Sequence, residues 1–296
     1  MFDIANLDIV ITRNCQLNCA GCLTFSDHNK VKGHSDISSA LPWLSFWAGK
    51  LNPTTLHIFG GEPLMHPEFV NWVKTVSNLF SKQTINVQTN GIKLLQLNYD
   101  TLVDLIHNYK LQLSISKHNQ LSWYESLINE SVLMLESIIG PGKWNTINAT
   151  EKVYVSNSGK YSFRVVDHST DDLSRAWANH YNGYGKNLSP GLDFENLKYI
   201  EHHSFCEAKE YIQLYNGSLY KCPTMAVLDN TLSAYNYPNR DLWDPWLKYR
   251  SLSAGADDSS IRQWLDIQSK PEKYCNMCFI GHPEKTIHTL KKKEID

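Results

Sequence analysis

The feature that most restricts the fold is an alternation that runs through the first 170 residues. Short β-rich runs at 7–12, 55–59, 84–88, 111–116, 152–155 and 161–166 are separated by amphipathic stretches, the pattern of successive strand–helix units around a parallel sheet. Ser38 and Ser39 are placed to cap a first helix carrying Pro42 in its first turn, with Leu41, Leu44, Ala48 and Leu51 on one face. Pro67 opens a second helix, with Phe69, Val73, Val76 and Phe80 at helical spacing. Leu102, Leu105, Ile106 and Tyr109 mark a third, and Trp123, Leu127 and Ile138 a fourth.

The strands are two-faced. Leu111, Leu113 and Ile115 alternate with Gln112, Ser114 and Ser116; Ile85 and Val87 with Asn86 and Gln88; Phe163 and Val165 flank Arg164. Successive side chains point to opposite faces of a strand, so helices on the apolar side leave polar rows lining an interior. The expectation is an α/β fold, a partial (β/α)6 TIM-like barrel with a wet lumen; a plain three-layer sheet is the alternative. Beyond residue 170 the pattern is irregular. The stretch 182–191 is rich in turn formers, and residues 211–222 read as two β runs joined by Asn216-Gly217, a strong hairpin signal. A helix around 261–267 leads to the last cysteines. We therefore expect a core at 1–170, a connection at 171–200 and a small C-terminal β-hairpin/helix cluster-binding domain at 201–296.

Composition excludes several classes. A net charge of -2 shows no bias toward nucleic acid, and the basic run Lys291–Lys293 is short and terminal. No stretch reaches the ~20 apolar residues of a membrane span, and the N-terminus lacks the pattern of a signal peptide. A cytoplasmic protein is expected. Its seven cysteines then sit in a reducing compartment, where clusters bind metal more often than they form disulfides.

Cys15, Cys19 and Cys22 follow the first strand with spacing C-x3-C-x2-C. Three thiolates leave a four-iron cluster one ligand short, so that a small molecule can bind the open iron; zinc, which prefers four ligands, is the competing reading. After the second strand comes Gly60-Gly61-Glu62-Pro63, two glycines that allow close backbone approach and a carboxylate for a cation. The cysteine spacing and the GGEP segment, one strand–helix unit apart, resemble the radical S-adenosylmethionine enzymes over roughly residues 7–166. Gly21 stands where that family often has an aromatic residue, with Phe25 nearby.

The resemblance implies a 4Fe-4S cluster on Cys15, Cys19 and Cys22. It implies S-adenosyl-L-methionine held at its amino group by Gly60, Gly61, Glu62 and Pro63, with further contacts from Thr89, Asn90, Ser114 and Ser116. Arg164 is a candidate partner for the methionine carboxylate. A flavodoxin- or ferredoxin-type donor reduces the cluster, S-adenosylmethionine is cleaved to a 5′-deoxyadenosyl radical, and the radical takes hydrogen from a substrate. The late cysteines, Cys206, Cys222, Cys275 and Cys278, with Gly217 between the first two, resemble the SPASM extension in its shorter twitch form, which holds one auxiliary 4Fe-4S cluster. Four thiols also suit one zinc, and a hairpin plus CxxC also describes a zinc ribbon.

For substrate, the polar positions Gln88, Gln112, Ser116 and Arg164 favour oxidation or rearrangement of a small polar molecule. Peptide maturation is the alternative, with no leader-binding domain expected ahead of the cysteine loop. A cyclase of the kind in molybdenum-cofactor synthesis is disfavoured by four late cysteines and the KKKEID end. A non-catalytic zinc or metal-binding scaffold is the contrasting class. Lys117, His118, Asp167 and His168, just past strand ends where barrel sites form, are the acid–base candidates.

Overall fold

The computed structural model describes residues 1–278 apart from 18, 20, 21, 27, 29, 31, 170–180, 183–186, 237 and 238. Gly21, the terminal lysine run and residues 171–180 and 183–186 of the expected connection lie outside the described residues. The chain begins with β1 (Phe2–Thr12), α1 (Ile37–Lys50), β2 (Leu51–Gly60), α2 (Phe69–Leu79), β3 (Ile85–Thr89), α3 (Tyr99–Asn108), β4 (Leu111–Lys117) and α4 (Ser122–Ile139). An antiparallel run follows: β5 (Gly142–Thr146), β6 (Glu151–Ser156) and β7 (Ser162–Asp167). Beyond it lie β8 (Tyr181–Asn182), β9 (Ser189–Pro190), α5 (Tyr199–Phe205), β10 (Tyr211–Tyr215), β11 (Ser218–Tyr220), α6 (Pro223–Ala234), α7 (Arg240–Leu247), β12 (Leu252–Ser253) and α8 (Asp258–Gln268).

Ten strands form one sheet in the order β12-β11-β10-β1-β2-β3-β4-β7-β6-β5. Its middle six, β10-β1-β2-β3-β4-β7, are parallel. This is the expected α/β partial barrel, assembled differently at both ends. The fifth and sixth sequence runs, at 152–155 and 161–166, pair antiparallel as β6 and β7, and β5 was not anticipated. The sixth parallel strand, β10, comes from the C-terminal third and adds to the free edge of β1. The Asn216-Gly217 turn forms as read: both residues have positive φ, 47° and 80°, which suits the twist of a two-residue hairpin.

Helices cover one face. Leu7, Ile9, Leu56, Ile58, Ile85, Val87, Leu111 and Leu113 share a buried cluster with Leu44 and Trp47 of α1, Trp72 and Val73 of α2, Leu102 and Leu105 of α3, and Tyr124 and Leu135 of α4. Two details of α1 depart from expectation. Its cap is Asp36, whose carboxylate accepts from the Ser39 N–H at 2.7 Å. Its buried face runs through Ala40, Leu44 and Trp47, leaving Leu41 exposed and Leu51 in β2, because the helix starts a turn before Pro42. Trp47 is fully buried, and its indole N–H donates to Gly217 O at 3.0 Å, tying α1 to the C-terminal hairpin. Trp47→Ala opens a cavity and removes one of the two hydrogen bonds to that carbonyl, which keeps the Ala254 N–H at 2.9 Å, and is expected to cost about 3–5 kcal/mol, read as a lowered midpoint in chemical denaturation.

On the opposite face a second buried cluster joins Val10 and Phe25 to Tyr215, Met225, Val227, Leu228, Trp243, Trp246 and Met277. The C-terminal helices therefore seal the lumen above β1 and β2, while Gln88 and Arg164, on β3 and β7, remain open to water. Among the described residues no helix is long and apolar enough to cross a membrane.

Candidate active site

Three loops, leaving the C-terminal ends of β1, β2 and β3, are fastened to one another. The Gly61 N–H donates to Thr12 O at 2.9 Å and the Glu62 N–H to Asn14 O at 2.7 Å, which lays the GGEP segment along the chain leading to Cys15. That contact explains the glycines. A Cβ on Gly60, whose φ is 149°, would lie 2.3 Å from Thr12 O, and one on Gly61 2.4 Å from Asn14 O. The sequence suggested that these glycines admit a ligand; in the structure they admit the neighbouring loop.

Glu62 is almost completely buried. One carboxylate oxygen accepts from the Thr89 hydroxyl at 2.7 Å and the Leu64 N–H at 3.1 Å, and the other from the Asn90 N–H at 2.8 Å. Burial raises its pKa to about 7, against the opposing pull of those three bonds. A carboxylate has about four acceptor positions, so a cationic ligand group has room at the second oxygen. Thr89 and Asn90, expected beside a cofactor, here hold Glu62 in place. Asn90 also reaches the cysteine loop: its side chain accepts from Gln16 at 2.9 Å, and its amide nitrogen stands 3.8 Å from Cys15 Sγ. Tyr124, from α4, donates to Asn90 O at 2.7 Å. The sequence reading passed over Gln16 and Tyr124, since polar residues of a loop and a helix face carry no motif.

Burial pushes the Cys15 thiol up to about 12, with Glu62 and Cys22 adding to the shift. Cys22 Sγ lies 3.4 Å from the Thr24 hydroxyl. Burial raises the Tyr124 phenol, and Glu62 and Cys19 add to the shift. Three half-buried thiols, one of them beside a carboxylate, form a donor set that a positively charged, thiophilic centre would relieve.

The late cysteines also converge. Cys206 follows α5, Cys222 caps the N-terminus of α6, and Cys275 and Cys278 lie in and after a short 3-10 turn at Lys273–Met277. Burial raises the Cys222 thiol to about 12, with Cys206 and Cys275 adding to it; Cys278 is raised well above its ordinary value by burial and by all three others. Four thiols from three elements are thus mutual electrostatic neighbours, and no disulfide joins any of the seven cysteines. As placed, no three His, Cys, Asp or Glu side chains among the described residues close on a single ion.

The remaining sequence candidates are dispersed. Ser114 is buried and Ser116 half-buried on β4. Arg164 is engaged by Glu151 at 3.3 Å. Pro63 starts a 3-10 turn at Pro63–Met65. Lys117 bridges Glu125 at 2.7 Å and Asp167 at 3.2 Å. Burial pulls Asp167 upward, but bonds from Ser169 and Lys117 outweigh it and hold the carboxyl below its usual range. The His118 and His168 rings stack, 5.5 Å between centroids, at the ends of β4 and β7.

No family model and no curated protein matches the chain. Among solved structures, BtrN in complex with AdoMet and 2-DOIA matches with a TM-score of 0.51 at 13% identity, over 97% of this chain and 98% of that one. The fold is that of BtrN. Two weaker similarities are to anSMEcpe with bound AdoMet and Cp18Cys peptide (TM-score 0.36, 15% identity, 46% of this chain and 41% of that one) and to Streptococcus suis SuiB bound to S-adenosylmethionine (0.40, 12%, 90% and 67%). With BtrN the correspondence runs the length of both chains, so it includes the elements that carry the late cysteines.

Proposed function

We propose that the chain is a radical S-adenosylmethionine enzyme acting on a small polar substrate in the lumen. The observation that carries this reading is the joint between the cysteine loop and the GGEP loop: Glu62, with an acceptor position to spare, sits against Asn90 and Cys15. The nearness of a cation-binding carboxylate to a three-thiol site is what a cofactor with an amino group and an affinity for an open iron requires. When bound, a 4Fe-4S cluster on Cys15, Cys19 and Cys22 supplies the electron that cleaves S-adenosyl-L-methionine to a 5′-deoxyadenosyl radical. The protein's part is to hold Glu62 by Thr89, Asn90 and Leu64, to fix the loop through Gly60 and Gly61, and to keep water from the β1–β2 side of the lumen with α6 and α7.

Ser114, Ser116 and Pro63 line the cofactor site on this reading, and Gln88 faces the substrate, with Gln112 and Arg164, held by Ser162 and Glu151, on the same polar rows. The electron comes from a flavodoxin- or ferredoxin-type donor in the cytoplasm. Anaerobic reconstitution with iron and sulfide, followed by dithionite and S-adenosylmethionine, is expected to yield 5′-deoxyadenosine. Iron-loaded protein that forms none would overturn the assignment.

Residues 201–296 belong, on this reading, to a twitch-like unit whose Cys206, Cys222, Cys275 and Cys278 hold a second 4Fe-4S cluster. Their mutual electrostatic coupling supports one shared centre, and a full set of four thiolates closes it. Replacing all four with serine is expected to remove about half of the bound iron and leave the front site loaded, measured as iron and sulfide per chain. Stoichiometric zinc lost in place of iron would reassign the site as a zinc ribbon.

A further inference from the structure

The lumen face of the sheet carries a polar row in register across its parallel strands. Gln213 of β10 stands opposite Asp8 of β1, Asp8 opposite His57 of β2, His57 opposite Asn86 of β3, and Asn86 opposite Gln112 of β4. These residues alternate with the helix-side core positions and lie one pleat, roughly 7 Å, below the Val10–Phe59 level that the C-terminal helices seal. Charged and strongly polar residues in the middle of such strands are costly unless paired, and here the pairing is incomplete.

Asp8 is buried. One of its oxygens meets His57 Nδ1 at 2.8 Å, and the other accepts from Gln213 Nε2 at 2.6 Å. An ionised carboxylate only accepts, so His57 carries a proton on Nδ1, and in the neutral ring Nε2 then offers a lone pair. Nε2 makes no hydrogen bond among the described residues. Gln213 Oε1 is buried without a partner. The Asn86 side chain reaches only Leu56 O, at 3.5 Å, and Gln112 turns away to Ser162 at 2.9 Å. The row therefore presents acceptors in excess, beside a buried negative charge, at the boundary between the dry and wet halves of the lumen.

We propose that the Asp8–His57 pair, with Gln213 and Asn86 beside it, is the subsite that receives hydroxyl groups of the substrate, His57 Nε2 accepting a hydrogen bond from one of them. The excess of acceptors selects a neutral, hydroxyl-rich small molecule and disfavours a phosphorylated or carboxylated one, which would bring negative charge to Asp8. Asp8 is a positioning residue, because it sets the tautomer. This subsite rests on the reading of the lumen as a substrate chamber, but its test is equilibrium binding and needs no radical step.

The test uses anaerobically reconstituted protein with S-adenosylmethionine, with myo-inositol and D-glucose as probes and myo-inositol 1-phosphate as the charged comparator, read by saturation-transfer NMR. The neutral polyols are expected to bind at least tenfold more tightly than the phosphate. His57→Phe keeps the ring volume, removes the acceptor and should weaken polyol binding about tenfold or more, whereas His57→Gln, with an oxygen where Nε2 stood, should stay within about threefold. Asp8→Asn removes the negative charge, its oxygen still able to accept from Nδ1 while its amide donates to Gln213 Oε1, and should narrow the discrimination against the phosphate. Should the asparagine variant not fold, the phenylalanine and glutamine pair still decides. Failure of both polyols to bind wild-type protein, or equal binding by the phenylalanine and glutamine variants, overturns the subsite. The same wild-type sample, assayed for 5′-deoxyadenosine, separates the two readings: cleavage without polyol binding leaves the enzyme class standing and removes only the subsite.

Discussion

Cys15→Ala is expected to reduce 5′-deoxyadenosine formation to background, a loss on the order of a thousandfold or more, and to strip iron from the front site while the late site stays loaded. The size of the effect follows from where the residue stands. Cys15 is the thiol nearest the Glu62–Asn90 joint, and removing it leaves two ligands, too few to retain a cluster. Alanine costs the buried Asn90 side-chain nitrogen its one weak contact, at 3.8 Å, and nothing else, so the fold should survive; a near-normal thermal midpoint with lost iron separates ligand loss from unfolding. Cys19→Ala should behave alike. Unchanged 5′-deoxyadenosine yield in either variant would remove the proposed chemistry.

Gly60→Ala is expected to be the most damaging single methyl in the barrel. Its φ of 149° lies in a region that L residues rarely adopt, and the added carbon would stand 2.3 Å from Thr12 O, a backbone atom at the end of β1 that has no freedom to retreat. Strain and overlap together should cost about 3–5 kcal/mol, and the displaced loop should also lose the Glu62–Asn14 contact and with it cofactor binding. Gly33→Ala is the matched control: its φ is 137°, but a Cβ there meets nothing within 4 Å. That substitution should therefore cost only the backbone strain, about 1–3 kcal/mol. Urea denaturation of the two variants measures the difference. Equal midpoints would show that the β1 and β2 loops do not depend on close approach.

Much of this molecule was legible in local patterns. Alternation at 85–88 and 111–116 gave both the strands and their two faces, since a period of two is set by backbone geometry alone. Asn216-Gly217 gave a turn because few residue pairs tolerate two positive φ values in succession. The cysteine spacings and GGEP marked loops that the structure fastens to one another, because residue spacing and glycine placement are properties of the chain itself. The helix register of α1 differs from its sequence pattern because Pro42 reads as a first-turn residue, whereas Asp36 starts the helix a turn earlier.

Other features exist only through contacts between distant segments. Nothing in 211–215 says that this run extends the sheet beside β1 and not one of its own; that is decided by which edge is free and which apolar faces meet. Asp8 and His57 carry no motif of their own, and neither has meaning until Gln213, 205 residues from Asp8 along the chain, completes the triad. Likewise Thr89 and Asn90 acquired their place as supports of Glu62 only when three strand ends came together. The sequence by itself determined the elements and the inventory of reactive groups, because periodicity, turn chemistry and ligand spacing act within a few residues. The tertiary structure alone decided strand order, the sealed and open halves of the lumen and the pairing of its polar row, because those depend on interactions summed across the whole fold.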